Sequence, residues 1–261
     1  MRYALLGIMG GFFFAFAAPA AAPASYPQLS LATTTDLSYN WAGYVSQDKG
    51  PYTGVSGRWI VPAVVPGQTL AADAAWVGLG GTNSNDLIQA GTQAIVGRDG
   101  KVTYQAWMEL MPDPSVPLPI HIEPGDEVSV DIHALSQGRF AVSIANQTSG
   151  DSYHTQVSYL SNLSSAEWIE EMPATLGGNF IPLDSFGSVR FLSGTATVGG
   201  RERTLGQLGA SALSMINRQG QALAVTSVLS DSGGFIVSRS GAQPTPRRSS
   251  LRYGLPLEIY R

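Results

Sequence analysis

Three stretches of the chain carry residue types and spacings that could do chemistry. Ser165-Ala166-Glu167-Trp168-Ile169-Glu170-Glu171-Met172-Pro173 sets three carboxylates around a tryptophan. Carboxylates at that density can take and return protons. The stretch has two local readings. As a helix, Ser164 and Glu167 form a capping-box pattern and the glutamates are a solvated face. As a strand, Glu167, Ile169 and Glu171 share one face and Trp168 and Glu170 the other. The second stretch, Tyr104 to Pro112, puts Gln105, Trp107 and Glu109 on one face of a strand. An aromatic between an amide and a carboxylate suits the floor of a substrate cleft, and equally a polar outer face. The third runs from Ala75-Trp76-Val77-Gly78-Leu79-Gly80-Gly81 to Leu87-Ile88-Gln89-Ala90-Gly91.

Other chemistries are absent from the sequence. There is no cysteine, which removes thiol nucleophiles, disulfides and zinc–cysteine sites. No Gly-x-Ser-x-Gly elbow, phosphate-binding Gly-Lys loop or His-Glu-x-x-His is present. His121, His133 and His154 lack metal-ligand spacing and read as solvent-facing, so no metal or other cofactor is expected. Asp231-Ser232-Gly233 resembles an aspartic-peptidase loop, but that chemistry needs two aspartates sharing a proton and the loop occurs once. A turn before Phe235-Ile236-Val237 explains it better.

The elements that must position these residues read as short strands. Val128 to His133 alternates apolar and polar with period 2. Ile120-His121-Ile122 precedes it across the turn Glu123-Pro124-Gly125-Asp126. Tyr104 to Glu109, Arg139 to Ile144, Val189 to Phe191 and Phe235 to Val237 alternate in the same way, with Gly or Pro punctuating the chain between them. No long stretch keeps a helical period. Regularly spaced short strands predict an all-β sandwich or barrel.

Arg2, the apolar run Ala4 to Ala18 and Ala22-Pro23-Ala24 form a secretory signal pattern, with an apolar run short of a membrane span. The expected organisation is a signal peptide over 1–24, a short N-terminal segment and candidate pro-segment over 25–38, a β-sandwich over 39–240 and a basic, proline-containing extension over 241–261. Export to the extracellular space follows, with no membrane association after signal removal. Charged residues are 13% of the chain against about 25% in average proteins, and the formal charge is −4. That balance argues against nucleic acid as a partner.

In order along the chain, the motifs resemble the glutamic peptidases, the eqolisin family of secreted acid endopeptidases. Asn40-Trp41-Ala42-Gly43 resembles the family's first strand. Trp76-Val77-Gly78-Leu79-Gly80-Gly81 is similar to its Trp-Val-Gly-Ile-Asp-Gly, and Leu87-Ile88-Gln89-Ala90-Gly91 to its Ile-Leu-Gln-Thr-Gly. Tyr104-Gln105-Ala106-Trp107-Met108-Glu109-Leu110 resembles Tyr-Asp-Ala-Trp-Tyr-Glu-Trp, and Ala166-Glu167-Trp168-Ile169-Glu170-Glu171 resembles Ala-Glu-Trp-Ile-Val-Glu. Phe186-Gly187-Ser188-Val189 resembles the strand that follows. The resemblance covers about residues 39 to 240.

It implies a sandwich of two curved antiparallel sheets, a concanavalin-like jelly roll, and so favours the strand reading at Glu171. It implies Gln89 and Glu171 as the catalytic pair, with Trp41, Trp76, Trp107 and Glu109 lining or supporting a cleft for protein or peptide substrates. A monomer without metal or cofactor is expected. Glu171 would act as base and acid near its ordinary pKa of about 4.3, giving an acid optimum. Gly80 and Gln93 stand where many members carry aspartate.

Two other functions fit the same residues. A glycosidase would need two carboxylates about 5–9.5 Å apart. Glu167 and Glu171 on one strand lie about 13 Å apart, so Glu109 would have to approach Glu171. A carbohydrate- or peptide-binding sandwich would use Trp76 and Trp107 as a stacking platform.

Overall fold

The computed structural model describes residues 31–32, 35–82, 84–136, 138–175 and 177–241. The signal peptide, the first residues of the segment at 25–38 and nearly all of the basic extension lie outside these. Sixteen strands and one short helix follow in order: β1 Thr35–Ser38, β2 Trp41–Gln47, β3 Tyr52–Ile60, β4 Ala71–Gly80, β5 Leu87–Val96, β6 Val102–Leu110, β7 Val116–Pro117, β8 Glu127–Ser136, β9 Arg139–Asn146, β10 Ser152–Ser158, β11 Ser165–Glu171, β12 Ser188–Val198, β13 Arg201–Thr204, α1 Leu205–Leu208, β14 Ser211–Ile216, β15 Ala222–Thr226 and β16 Phe235–Arg239.

The hydrogen-bonded path runs β10-β9-β8-β3-β12-β16-β15-β14-β2-β11-β4-β5-β6-β7. Every pairing is antiparallel except β1 on β14. The path folds over itself, so that β3, β8, β9 and β12 pack against β4, β5 and β11. The result is the expected β-sandwich of two curved sheets.

Alternation decides which residues enter the space between the layers. Ala166, Trp168 and Glu170 of β11 point inward with Ala75, Val77 and Leu79 of β4, and all are buried. Two tryptophans cross the interior and find acceptors on the opposite layer, as buried indoles must. Trp168 Nε1 donates to the Ser56 carbonyl at 2.7 Å and Trp59 Nε1 to Thr92 Oγ1 at 2.9 Å. Gly194 makes room for the first: a Cβ there would lie 2.5 Å from Trp168 Nε1.

One local expectation changes and one open reading is decided. Ile120-His121-Ile122 is not a strand; Ile120 and Ile122 are buried as alternation predicts, but prolines at 117, 119 and 124 bracket the segment and it gains no ladder partner. The capping box lies at Thr204 and Gln207, heading the one-turn helix α1, whereas Ser165 to Glu171 is strand. Asp231 and Gly233 occupy a turn closed by Gly233 N donating to the Ser230 carbonyl at 2.8 Å.

Candidate active site

β11 is central in its layer, paired to β2 on one side and β4 on the other. Register then assembles one face from four further strands. Glu171 lies opposite Trp41 and Ala74, and that row continues through Gln93 and Gln105. The next row is Gly43, Ile169, Trp76, Gly91 and Trp107. The third is Val45, Glu167, Gly78, Gln89 and Glu109. This face turns away from the sandwich core and carries its own apolar cluster, with Trp41, Trp76, Trp107, Ile169 and Leu87 among its members. Register therefore brings together every candidate residue from the sequence: Trp41, Trp76, Gln89, Trp107, Glu109 and Glu171. Glycine or alanine at 74, 78 and 91 keeps the floor between them low.

Glu171 is the one residue of β11 that is not fully buried. Asn40 Nδ2 donates to its Oε1 at 3.1 Å, and Trp76 Nε1 to its Oε2 at 2.8 Å. Trp76 is fixed edge-on against Trp41, with ring centroids 4.9 Å apart. The Trp41 indole also favours the charged carboxylate, although its N–H completes no hydrogen bond. Burial, followed by the charge of Glu109, outweighs these donors and pushes the Glu171 pKa up to about 7. A near-reference value, expected from sequence, is therefore not what this environment gives.

Gln89 is 4% exposed. Its Nε2 donates to Glu109 Oε2 at 2.5 Å, and its Oε1 is buried without a partner. Burial raises the Glu109 pKa, while the Gln89 amide and the Ser115 backbone N–H oppose the rise.

The two departures from the family pattern have different causes. Gly80 has φ +93°, and a Cβ there would lie 2.3 Å from the Asp86 carbonyl oxygen; the backbone admits no side chain. Gln93 Nε2 donates to Gln105 Oε1 at 3.0 Å, an uncharged pair in the Glu171 row.

Sequence reasoning gave no role to Asn40, which holds Glu171, or to Ser38, whose Oγ accepts from the backbone N–H groups of Asn40 and Trp41 at 3.3 and 3.1 Å. A serine two residues before an asparagine at a strand start is a turn signal, too common to indicate a site. It also missed a second acidic group. Asp73, Glu170 and Asp184 meet on the interior side of β4 and β11, all buried. Neither carboxyl oxygen of Glu170 or of Asp184 completes a hydrogen bond; the Arg239 charge and the Phe186 backbone N–H favour the ionised form of Asp184, and protons shared among the three carboxyls would satisfy the rest. Burial pushes Asp73 to about 6 and Asp184 to about 9, and raises Glu170. Among the described residues no set of His, Cys, Asp or Glu converges as metal ligands.

The profile of the Peptidase A4 family matches residues 39–239. The chain belongs to that family. It is 31% identical over 233 residues to Aspergillopepsin-2 of Aspergillus niger, covering 78% of this chain and 79% of the relative. Scytalido-glutamic peptidase bound to a transition-state analogue inhibitor superposes with TM-score 0.68 at 27% identity, over 77% of this chain and 98% of that one. SCP-B, an eqolisin solved with the tripeptide Ala-Ile-His, superposes with TM-score 0.63 at 25% identity over 77% and 98%. The chain is accordingly a glutamic endopeptidase of the Peptidase A4 family. The glycosidase and binding-sandwich readings give way to this assignment.

Proposed function

We propose that Glu171 and Gln89 are the catalytic pair and that the enzyme is exported and works in acid. The observation that carries this is the setting of Glu171: a carboxylate on the open face of the sheet, held by two neutral N–H donors, with the Gln89 carboxamide on the same face. Peptide hydrolysis needs a base for water, a donor to the developing oxyanion and an acid for the leaving amine. Glu171 takes a proton from the attacking water and hands it to the leaving nitrogen. Gln89 donates amide N–H to the oxyanion. Asn40 and Trp76 keep the carboxylate in place through both transfers. Trp41 and Trp107 give an extended peptide an apolar floor, and Glu109 and the neutral Gln93–Gln105 pair border it.

Acid activity follows from coupling between carboxylates. The Glu109 charge is the second cause of the high Glu171 pKa. When Glu109 takes up a proton that repulsion is gone, and Glu171 ionises at lower pH than about 7. When the pair holds one proton, the arrangement with that proton on Glu109 leaves Glu171 a carboxylate beside a neutral neighbour, and it is this arrangement that reacts. The signal-like N-terminus supports export, and a site complete within one chain supports action as a monomer.

Glu171→Gln and Gln89→Ala should each lower kcat/KM on a denatured protein substrate at least about 10³-fold with an unchanged circular dichroism spectrum. The assay spans pH 2–7 with aspartic-peptidase inhibitors present. A folded Glu171→Gln protein with full activity would end the assignment.

A further inference from the structure

We propose that Glu109 is a positioning residue whose proton decides which end of the Gln89 carboxamide faces the cleft. The proposal rests on the assignment of Gln89 and Glu171 above. A carboxylate can only accept, so with Glu109 ionised Gln89 must present Nε2 to it. That is the arrangement in the structure, with Nε2 2.5 Å from Glu109 Oε2 and Oε1 buried and unpartnered. One amide N–H is then spent on Glu109, and the carbonyl oxygen takes the other end of the carboxamide, where it can donate nothing.

A protonated Glu109 carries an O–H. The carboxamide then turns over about its last torsion, its Oε1 accepts from that O–H, and Nε2 takes the unpartnered position with both its hydrogens free. Heavy-atom positions hardly change, because amide nitrogen and oxygen are nearly the same size. The proton stays on Glu109 throughout. Two N–H donors then serve the oxyanion instead of at most one. Ionised Glu109 harms the reaction twice, by withholding a donor and by placing a negative charge near a developing one.

The groups that face Glu109 from its surroundings agree with this. Gln89 and, further along the row, Glu167 lie across β5, β4 and β11. Glu171 of β11 couples to it by charge, as does Tyr159 from the segment after β10, with Asp113 of the following loop acting on Tyr159. The Ser115 backbone N–H also reaches its carboxyl. None of these is a cation. The site therefore gains by neutralising Glu109, and the alkaline limb of the rate profile marks the loss of the last proton held by Glu109 and Glu171 together.

Two variants separate this from a structural role. Glu109→Gln offers a permanent N–H to Gln89 Oε1, so the ratio of kcat/KM at pH 6 to that at pH 3.5 should rise at least tenfold over the parent. Glu109→Leu offers nothing to hold Oε1, so its kcat should fall at least tenfold at pH 3.5 while KM stays within threefold, and the deficit should shrink toward pH 6, where the parent's Glu109 is ionised. A Glu109→Gln profile of unchanged shape overturns the proposal, as does a Leu variant indistinguishable from the Gln variant. A readout independent of activity keeps the proposal distinct from the catalytic assignment. The Gln89 side-chain N–H₂ resonance in ¹⁵N-labelled protein, identified by its loss in Gln89→Ala, should titrate with pH in the parent and not in Glu109→Gln. A parent resonance that does not titrate refutes the inference even if Glu171 and Gln89 are confirmed as essential.

Discussion

Burial alone makes Glu171 a poor base in acid, and the residues around it work against that. Trp76 and Asn40 each give an N–H to the carboxylate, which favours the charged form. Trp76→Phe keeps a ring against Trp41 and deletes one donor. Glu171 then ionises at higher pH, so at any acid pH less of it is available as base. The acid limb of kcat/KM should move up by about one pH unit, with about a tenfold loss at pH 3–4; a pH–rate profile with matched near-ultraviolet circular dichroism measures both. An unmoved limb would mean that the indole serves only as packing. Gln89 and Glu171 could be singled out as candidates in the sequence because their motifs are short and local. Asn40 could not, because its contact with Glu171 spans 131 residues. Glu109 was visible as a cleft residue, but its pairing with Gln89 depends on the register of β5 on β6, which no local pattern encodes.

At the level of elements, β4 and β5 turn about a point that tolerates no side chain. Gly80→Ala forces a Cβ into the Asp86 carbonyl at a φ of +93°, and should cost about 2–4 kcal/mol in urea unfolding. Gly80→Asp should cost at least as much, so reinstating the family's aspartate fails without rebuilding the turn that follows. A variant as stable as the parent would show that the backbone can yield there. The same level separates what alternation could and could not reveal. Val128 to His133 and Tyr104 to Glu109 became strands as their period indicates. Ser165 to Glu171 could not be decided locally, since its apolar and acidic residues satisfy either period. Pairing on both sides by β2 and β4 settles it, and those partners are distant in sequence. Ile120-His121-Ile122 alternates yet has no ladder, because alternation reports burial and not pairing.

Across the whole molecule, stability should fall as pH rises. Asp73, Glu170 and Asp184 have folded pKa values raised above the roughly 4 expected when unfolded. The native state therefore binds more protons than the unfolded chain, and its stability is complete below about pH 4 and lost progressively toward pH 9. Urea midpoints at pH 3.5, 5, 7 and 8 should decrease in that order; a flat or rising series would sink the idea. Glu170→Val removes one member of the cluster and should flatten the decline, since a buried carboxyl without a cation is worth less than an apolar side chain of similar size. None of this was legible beforehand: three acidic residues spread over more than a hundred positions look like ordinary surface charge until the layers close on them. Glu170 and Glu171 are neighbours on opposite faces of β11, so one strand carries the proposed base, which must lose its proton to act, beside a core carboxyl that burial favours in its protonated form. If stability falls with pH in this way, a molecule carried into neutral surroundings gives up its interior along with its chemistry, and place alone confines the enzyme. Adapting it to neutral conditions would take two separate repairs, one in the cleft at Glu109 and one behind it at Glu170.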